Sequence, residues 1–288
     1  MEFISIDVET ANADMASICQ IGAARFVDGA LAEEWKTYVD PKDYFDGINV
    51  SIHGIDAAVV RGAPTFPKTA ATLNQFLSGH VVVSHTHFDR VALHQAATRH
   101  NVVPLSCTWL DSARVARRAW SEFASSGYGL SNVCKALGYE FKHHDALEDA
   151  KAAGHVLLAA MAHSGLDLEA WLRRVRQPID PDSASSGSAS RRAGKLEAPL
   201  YGEVLVFTGA LEIPRRQAAD MAADIGCQVA PNVTKNTTLL VVGDQDVQRL
   251  AGHTKSSKHR KAEDLILKGQ PIRILRESDF RELVALSG

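Results

Sequence analysis

A polar tract near the middle of the chain limits how the sequence can fold. Residues 177–198 read QPIDPDSASSGSASRRAGKLEA, and they are dominated by Ser, Ala and Gly without a hydrophobic period. Such a segment buries too little apolar surface to form a core and is typical of a flexible linker. We therefore predict a first domain at 1–176, a linker at 177–198 and a second domain at 199–288 that folds independently.

The composition is sufficient for two separate cores. The chain has 288 residues, of which 45% are hydrophobic, and its net charge is −3. Residues 1–176 contain slightly more acidic than basic side chains, which argues against a broad nucleic-acid-binding face there. No apolar run approaches the ~18 residues of a membrane span, and no leader pattern opens the sequence. We expect a soluble, cytoplasmic protein that does not interact with membranes.

The four cysteines do not suggest a metal site or a disulfide framework. They are scattered and form no C-x-x-C pair. That spacing predicts neither zinc binding nor disulfide pairing. We expect them to be reduced residues of the cores.

The first domain begins with strands and continues with helices. Three short β-type runs with intervening turns, FISIDV, ICQIGAARFV and AEEWKTYV, predict an antiparallel meander. The compact apolar run VVVSH at 81–85 predicts a buried strand, and helical periodicity follows at 89–100, 110–120, 129–137 and 146–162. This order predicts a mixed α/β sheet covered by helices.

Four carboxylates follow the ends of these elements. Asp7 and Glu9 are two residues apart, so on a continuing strand they project to the same face, and Asp89 follows the VVVSH strand. Asp149 lies on the last predicted helix of this part, five residues after His144. Carboxylates that converge repel one another unless cations compensate them. Convergence of the four would therefore favour two divalent ions, and oxygen ligands favour Mg²⁺ or Mn²⁺ over zinc.

Each piece of this pattern also has a simpler interpretation. An Asp-x-Glu pair is usually a solvated strand end, and a histidine near a helix start is usually a surface or capping residue. The hypothesis depends on the order of the pieces, which is Asp-x-Glu, then Asp, then His-x-x-x-x-Asp.

The motifs IDVET, SHTHFDR and HHDALEDAKAAG resemble those of the DEDDh 3′–5′ exonucleases. This family is similar to the proofreading subunit of bacterial DNA polymerase III. The resemblance covers about residues 2–162, and SIHGI and APTF lie between the motifs in the expected order. It implies a ribonuclease H-like fold, with His144 as the general base and four metal ligands, Asp7, Glu9, Asp89 and Asp149.

The family resemblance also implies a mechanism. Two metal ions would hold the scissile phosphate while His144 takes a proton from the attacking water, releasing nucleoside 5′-monophosphates. His143 is the competing histidine, but its spacing to Asp149 is one residue too long for the motif. Thr86 stands where many members of the family have Asn, a departure that affects substrate contacts rather than the ligand set.

The second domain repeats a strand-then-helix order, which predicts a small parallel sheet. Its segments FTGAL, VTKNTTLLVVG, SSKHRKA and ESDF resemble those of a BRCT domain over residues 199–288. In phosphate-binding members, the matching positions Thr208, Gly209 and Lys258 hold one phosphate, and Arg215 would add a second cation. The alternative is an ordinary turn at Thr208 and Gly209 beside a solvated basic face.

Three functions are compatible with these patterns. We favour a metal-dependent 3′–5′ exonuclease that acts on single-stranded or nicked DNA ends in repair or replication. Its BRCT domain would bind a protein partner or a phosphorylated ligand. The second possibility is an exoribonuclease that trims RNA 3′ ends. The third is an inactive adaptor, which the complete set of five catalytic positions argues against.

Overall fold

The computed structural model of this chain describes residues 1–124, 127–179, 197–243 and 255–287. It divides into two compact units, Met1–Ser185 and Ser186–Gly288. Most of the predicted linker, at 180–196, lies outside the described residues. The boundaries at 176 and 199 stay a prediction, and each unit is described by itself.

A five-stranded mixed sheet forms the centre of the first unit, with the strand order β3-β2-β1-β4-β5. The first three strands are antiparallel neighbours, whereas β4 runs parallel to both β1 and β5. The strands are β1 Glu2–Thr10, β2 Ile18–Val27, β3 Ala30–Tyr38, β4 Val81–Ser84 and β5 Thr108–Asp111.

Seven α-helices accompany this sheet in the described part of the first unit. They are α1 Gly47–His53, α2 Phe66–Leu77, α3 Phe88–Arg99, α4 Ser112–Ala119, α5 Leu130–Ala136, α6 Ala146–Ser164 and α7 Leu168–Arg174. The predicted mixed α/β class is confirmed. Helix α7 follows α6, so the helix that carries Asp149 is not the last helix of this unit.

Sequence analysis did not predict strand β5, because β5 continues into helix α4 without an intervening turn. Residues 110–120 were predicted to be one helix, but Leu110 and Asp111 belong to the strand. The Asp111 carboxylate caps α4 by accepting from the backbone N–H groups of Ala113 and Arg114. Because no turn residue separates the two elements, the strand end and the helix start merge into one apparent period.

Helix α6 packs across β1 and β2 and closes the core. Phe3 and Phe26 stack with ring centroids 5.0 Å apart. Gly154 of α6 faces them, since a Cβ there would lie 2.4 Å from the Phe26 ring. Both aromatic rings are almost completely buried, together with Trp171 of α7.

The first turn of α6 is fixed to the end of the β1–β2 hairpin. Gly22 pairs with Asp7 and Gln20 with Glu9, so these four residues occupy one face of the sheet. A Cβ on Gly22 would lie 2.2 Å from the carbonyl carbon of Ala146. The buried Gln20 accepts a 2.8 Å hydrogen bond at Oε1 from the Ala146 N–H. Glycine at position 22 thus allows the helix backbone to approach the acidic end of β1.

Two arginines bind the segment that follows α7. Arg118 donates to the Gln177 carbonyl at 2.8 Å, and Arg174 donates to the carbonyls of Pro178 and Ile179 at 2.5 and 2.7 Å. The first three residues of the predicted linker therefore contact the first unit.

The second unit contains a four-stranded parallel sheet with the order β7-β6-β8-β9. Its strands are β6 Val204–Thr208, β7 Gln228–Ala230, β8 Leu239–Val242 and β9 Arg273–Arg276. Its described helices are α8 Arg215–Asp224, α9 Ser257–Ile266 and α10 Glu277–Leu286. The predicted parallel sheet is confirmed.

Buried interactions also fix the second unit. Phe207 and Phe280 pack edge to face at 5.3 Å. The buried Glu277 carboxylate accepts from the backbone N–H groups of Glu212 and Ile213 at 2.7 and 2.9 Å. Across both units, none of the described helices has the length and apolar character needed to traverse a bilayer.

We predict that Gly22→Ala destabilises the first unit by more than about 1–3 kcal/mol, the usual cost of an overpacked site, because backbone rather than a flexible side chain occupies the space. Gly47→Ala is the matched control, since a Cβ there meets nothing within 4 Å. Denaturant unfolding of both variants measures the difference. Equal stability of the two variants would contradict the close approach of α6 to β2.

Candidate functional site

Three of the four predicted metal ligands lie close together at the end of β1. Asp7 and Glu9 lie on the same face of the strand, and Asp149 lies in the first turn of α6. One carboxylate oxygen from each residue falls within 4.8 Å of the others. Both β1 acids are partly exposed whereas Asp149 is buried. The structure therefore brings these three predicted ligands into one cluster.

Asp89 completes the predicted set from a neighbouring helix. It is the second residue of α3, and its side chain is buried. Its Oδ1 accepts a 3.1 Å hydrogen bond from the N–H of Val8, the residue between Asp7 and Glu9. Both Asp89 and Asp149 sit in the first turn of a helix, where the helix dipole stabilises negative charge.

Hydrogen bonds fix both oxygens of Asp149. Its Oδ1 contacts Nδ1 of His143 at 2.8 Å, and its Oδ2 accepts from the backbone N–H of His144 at 2.9 Å. The two contacts hold the carboxylate plane beside Asp7 and Glu9. Residues 143 and 144 therefore both contribute to the orientation of this acid.

The two histidines adopt a compact, stacked arrangement. His144 has a φ of 65°, a left-handed conformation that histidine adopts more readily than most residues. The imidazole rings are 3.9 Å apart between centroids, with an angle of 14° between their planes. The structure thus places His144 next to the acidic cluster, with His143 stacked against it.

Asp111 is a site-forming residue that sequence analysis missed. Besides capping α4, its Oδ1 accepts a 3.0 Å hydrogen bond from the N–H of Thr86, whose φ is 80°. Ser84 Oγ donates to the Thr86 carbonyl at 2.8 Å. These bonds fix the connection from β4 to α3 and hence the position of Asp89. An Asp immediately before a helical period is a typical N-cap signal and identifies the residue in retrospect.

His85 also holds the connection between β4 and α3 in place. Its Nε2–H donates to the Tyr128 carbonyl at 2.7 Å, and its Nδ1 contacts Ser112 Oγ at 2.8 Å. Burial lowers the pKa of His85, although the charge of Asp111 acts in the opposite direction. The ring is therefore a neutral structural bridge in the middle of the SHTHFDR motif.

Helix α1 lies against the end of β1. His53 Nδ1 accepts from the N–H of Ile55 at 3.0 Å, so its Nε2–H donates to the Thr10 carbonyl at 3.1 Å. Asn49 donates to the same carbonyl at 2.9 Å. Burial lowers the pKa of His53, which keeps the ring neutral in this role. The SIHGI segment is thereby attached to the strand that carries Asp7 and Glu9.

A charged pair holds β3 to the start of α6. Lys36 Nζ lies 2.6 Å from Oδ2 of Asp145, the N-cap residue of the helix. Burial raises the pKa of Asp145, but the hydrogen bond and charge of Lys36 outweigh that effect, and the pKa is lowered overall. The cap therefore stays ionised and strengthens the position of α6.

The four predicted phosphate-binding residues of the second unit also meet. The buried Thr208 shares a 2.7 Å hydrogen bond through Oγ1 with Ser256 Oγ. Lys258 Nζ donates to the Phe207 carbonyl at 3.2 Å, and Arg215 donates to the Gly209 carbonyl at 2.5 Å. We name Thr208, Gly209, Arg215, Ser256 and Lys258 the β6 pocket.

The β6 pocket has the electrostatics of an anion site. Partial burial lowers the pKa of Lys258, and the nearby charge of Arg215 lowers it further. Lys258 and Arg215 therefore place two positive charges close to Thr208 and Gly209. Ser256 caps α9 by accepting from the His259 N–H at 3.1 Å, so the start of that helix lies at the pocket. Sequence analysis missed Ser256, although a serine before a helical period is a capping signal.

The donor chemistry of the acidic cluster fits hard divalent cations. Asp7, Glu9 and Asp149 each offer a carboxylate oxygen, and Mg²⁺ and Mn²⁺ prefer such ligands. The cluster brings three carboxylates close together, and Lys36 pairs with Asp145 in the same turn of α6. The first unit thus carries an acidic cluster with the oxygen donor set that divalent cations prefer.

Residues 4–157 match the family described as Exonuclease, so the chain belongs to this family. Residues 195–268 match the BRCA1 C Terminus (BRCT) domain. The chain therefore combines a domain of a nuclease family, a type of hydrolase, with a BRCT domain. Exonucleases of this class generally use divalent metal ions. The family resemblance and the enzyme class predicted from the sequence are confirmed.

Several longer proteins are similar to this chain. The PolC-type DNA polymerase III of Clostridium perfringens is 26% identical over 163 residues, which is 54% of this chain and 11% of the polymerase. A Mycobacterium tuberculosis protein whose name combines exonuclease and endonuclease functions is 27% identical over 232 residues, 74% of this chain and 36% of that protein. The chain thus spans about a tenth to a third of the length of these relatives.

Solved structures share the fold of the first unit. Cell-death related nuclease 4 has a TM-score of 0.50 and 14% identity, covering 57% of this chain and 64% of that one. Exonuclease I, solved with a single-strand-binding protein and an inhibitor, has a TM-score of 0.50 and 17% identity, covering 61% and 43%. These likenesses show the exonuclease fold.

Proposed function

We propose that this protein is a metal-dependent 3′–5′ exonuclease that acts on DNA ends and releases nucleoside 5′-monophosphates. The observation that carries this proposal is the convergence of Asp7, Glu9 and Asp149 within 4.8 Å at the end of β1. Asp89 supports it through the 3.1 Å hydrogen bond from Val8. Strand β1 and helix α6 bring three acids together, and α3 places a fourth against the same strand. Such convergence is costly unless cations bind there.

Asp7, Glu9, Asp89 and Asp149 are the residues that would hold two Mg²⁺ or Mn²⁺ ions. When bound, the ions supply charge stabilisation for the scissile phosphate and lower the pKa of the attacking water. The buried Asp149 is oriented by His143 and by the His144 backbone, so its oxygens need little reorganisation. Asp89 is similarly preorganised by Val8.

We assign the general base to His144. A neutral imidazole nitrogen accepts a proton from water, and histidine is the side chain that most often serves as a general base. A ring nitrogen of His144 lies within 4.8 Å of an Asp149 carboxylate oxygen, and the backbone N–H of His144 donates to that carboxylate. The side chain is half-buried and thus accessible to solvent.

Two observations favour DNA over RNA and a role in repair or replication. Similar proteins include several named as PolC-type DNA polymerase III. The chain also has a BRCT domain, which we propose binds a protein partner or a phosphorylated ligand through the β6 pocket. In this proposal the first unit removes nucleotides from the DNA end, and the second unit recruits the protein to its site of action. A cytoplasmic location fits this role.

The activity test uses DNA and RNA oligonucleotides of equal sequence, each labelled at the 5′ end. With Mg²⁺ we expect the DNA to shorten stepwise from its 3′ end, and we expect EDTA to abolish the ladder. Asp7→Asn should lower the rate by orders of magnitude with little loss of fold, because one ligand oxygen is replaced by an amide. Faster shortening of RNA would identify an exoribonuclease, and a wild-type protein inactive on both would identify an adaptor.

A second prediction separates the two histidines. His144→Ala should lower turnover far more than His143→Ala, because only His144 is proposed to accept the proton of the attacking water. The affinity for Mg²⁺, measured by calorimetry, should change little in His144→Ala. Single-turnover rates on the same single-stranded DNA provide the comparison. Similar losses in both variants would contradict the assignment of the base.

A third prediction concerns the β6 pocket. The full chain in EDTA should bind a 5′-phosphorylated duplex more tightly than the same duplex without the phosphate, and Lys258→Glu should remove the difference. Lys261→Glu is the matched control, since Lys261 is exposed on the same helix. The salt dependence should be shallow because few phosphates are contacted. If the phosphate makes no difference in the wild type, with either the duplex or a phosphopeptide, the pocket is a structural turn.

A further inference from the structure

Two buried nitrogen atoms near the acidic cluster have no hydrogen-bond partner among the described residues. They are Nε2 of His87 and Nε of Arg114. The side chain of His87 is 10% exposed, and Arg114 is half-buried. Because roughly 90% or more of the buried polar groups in proteins are hydrogen-bonded, both atoms favour a ligand that supplies acceptor oxygens.

Asp111 connects these two residues. Its Oδ1 accepts from the backbone N–H groups of Thr86 and Arg114 at 3.0 and 3.3 Å, and its Oδ2 lies 4.0 Å from Nδ1 of His87. Burial lowers the pKa of His87, the charge of Asp111 raises it, and the charges of Arg114 and Arg90 lower it. The guanidinium group of Arg114 is therefore close enough to act on the imidazole of His87.

The position of Arg114 on its helix is electrostatically unfavourable. It is the third residue of α4, and the first turn of that helix contains no acidic residue. The helix dipole disfavours a cation at this position. Within the part of the chain that the structure describes, no salt bridge joins Arg114 to a carboxylate. An anion bound at Arg114 would offset its charge, so the electrostatics favour an anionic ligand.

The register of the sheet places Asp111 at the edge that carries the acidic cluster. Ser5 of β1 pairs with Val83 of β4, and Ser84 pairs with Asp111 of β5, in parallel strands. Asp111 is therefore level with the residue that precedes Asp7. Neighbouring strands are about 4.7–4.9 Å apart, so the two steps from β1 through β4 to β5 span about 10 Å. This distance corresponds to about three nucleotides of a stacked strand, at about 3.4 Å each.

We propose that Arg114 binds a backbone phosphate of the nucleic-acid substrate about three nucleotides from the acidic cluster, with Nε2–H of His87 as a second donor. A guanidinium group matches the oxygens of a phosphate and binds two of them at once. Because Arg114 is half-buried, a shift of its guanidinium group exposes both donors to the same phosphate. The class of substrate rests on the proposed function, and DNA and RNA offer the same phosphate group.

The binding test uses the full chain in EDTA and a single-stranded DNA oligonucleotide without a 5′ phosphate, so that the β6 pocket does not contribute. Arg114→Gln should weaken binding about tenfold, the usual size of a hydrogen bond to a charged group. The slope of log affinity against log salt should fall by about 0.7, the contribution of one phosphate on a single strand. Fluorescence anisotropy measures both quantities. Wild-type affinity and slope in Arg114→Gln would overturn the inference.

A second experiment locates the phosphate. One phosphate at a time is replaced by a neutral methylphosphonate, starting from the 3′ end. The wild type should lose affinity when the group near about the third nucleotide is replaced. The same replacement should have no further effect on Arg114→Gln, and it should have a smaller effect on His87→Phe, which keeps a ring but lacks the donor. Equal profiles in the wild type and Arg114→Gln would overturn the assignment.

Arg173→Gln is the matched control. Arg173 is exposed in the last turn of α7, so this variant should keep the wild-type profile. Arg114→Gln should unfold at a temperature no lower than the wild type, because a cation leaves the first turn of a helix. Loss of stability with unchanged binding would identify Arg114 as a structural residue and overturn the inference.

These measurements separate the phosphate site from the proposed nuclease activity. A chain that binds the oligonucleotide through Arg114 but does not shorten DNA or RNA with Mg²⁺ would support the phosphate site and contradict the proposed function. A wild-type chain that binds neither a DNA nor an RNA oligonucleotide would overturn the phosphate site.

Discussion

Repulsion among converging carboxylates is the physical constraint on which the first unit depends. Asp7, Glu9 and Asp149 lie close together, so the fold must hold like charges in place. It does so with backbone donors: Val8 for Asp89 and His144 for Asp149. The rigid β1–β2 ladder positions the remaining two acids.

The arrangement depends on how closely α6 approaches the sheet. Gly22 leaves space for the helix backbone, and Gln20 binds the first N–H of the helix. The Lys36–Asp145 pair fastens the same turn from β3. These contacts come from one face of the three antiparallel strands, so the register of β1, β2 and β3 determines whether Asp149 reaches Asp7. The packing of α6 against the sheet therefore also determines the geometry of the acidic cluster.

Sequence analysis identified the acidic residues of the site but not the residues that hold them in position. Asp7, Glu9, Asp89 and Asp149 stand at strand ends and helix starts, where a short motif reveals them. Asp111 and Gln20 act through tertiary hydrogen bonds with residues far away in the chain, which no local pattern displays. Strand β5 was missed because it passes directly into α4. In the second unit, Thr208 and Lys258 were identified from motifs, whereas Ser256 required the structure.

The most direct test of the central claim is a crystal structure of the protein with Mn²⁺, phased to show the ion by its anomalous scattering. The proposal predicts anomalous peaks bounded by the carboxylates of Asp7, Glu9 and Asp149, with Asp89 beside them. The same crystals grown with Asp7→Asn should lose at least one peak. Absence of any peak at these acids, at a Mn²⁺ concentration that supports activity in solution, would contradict the account.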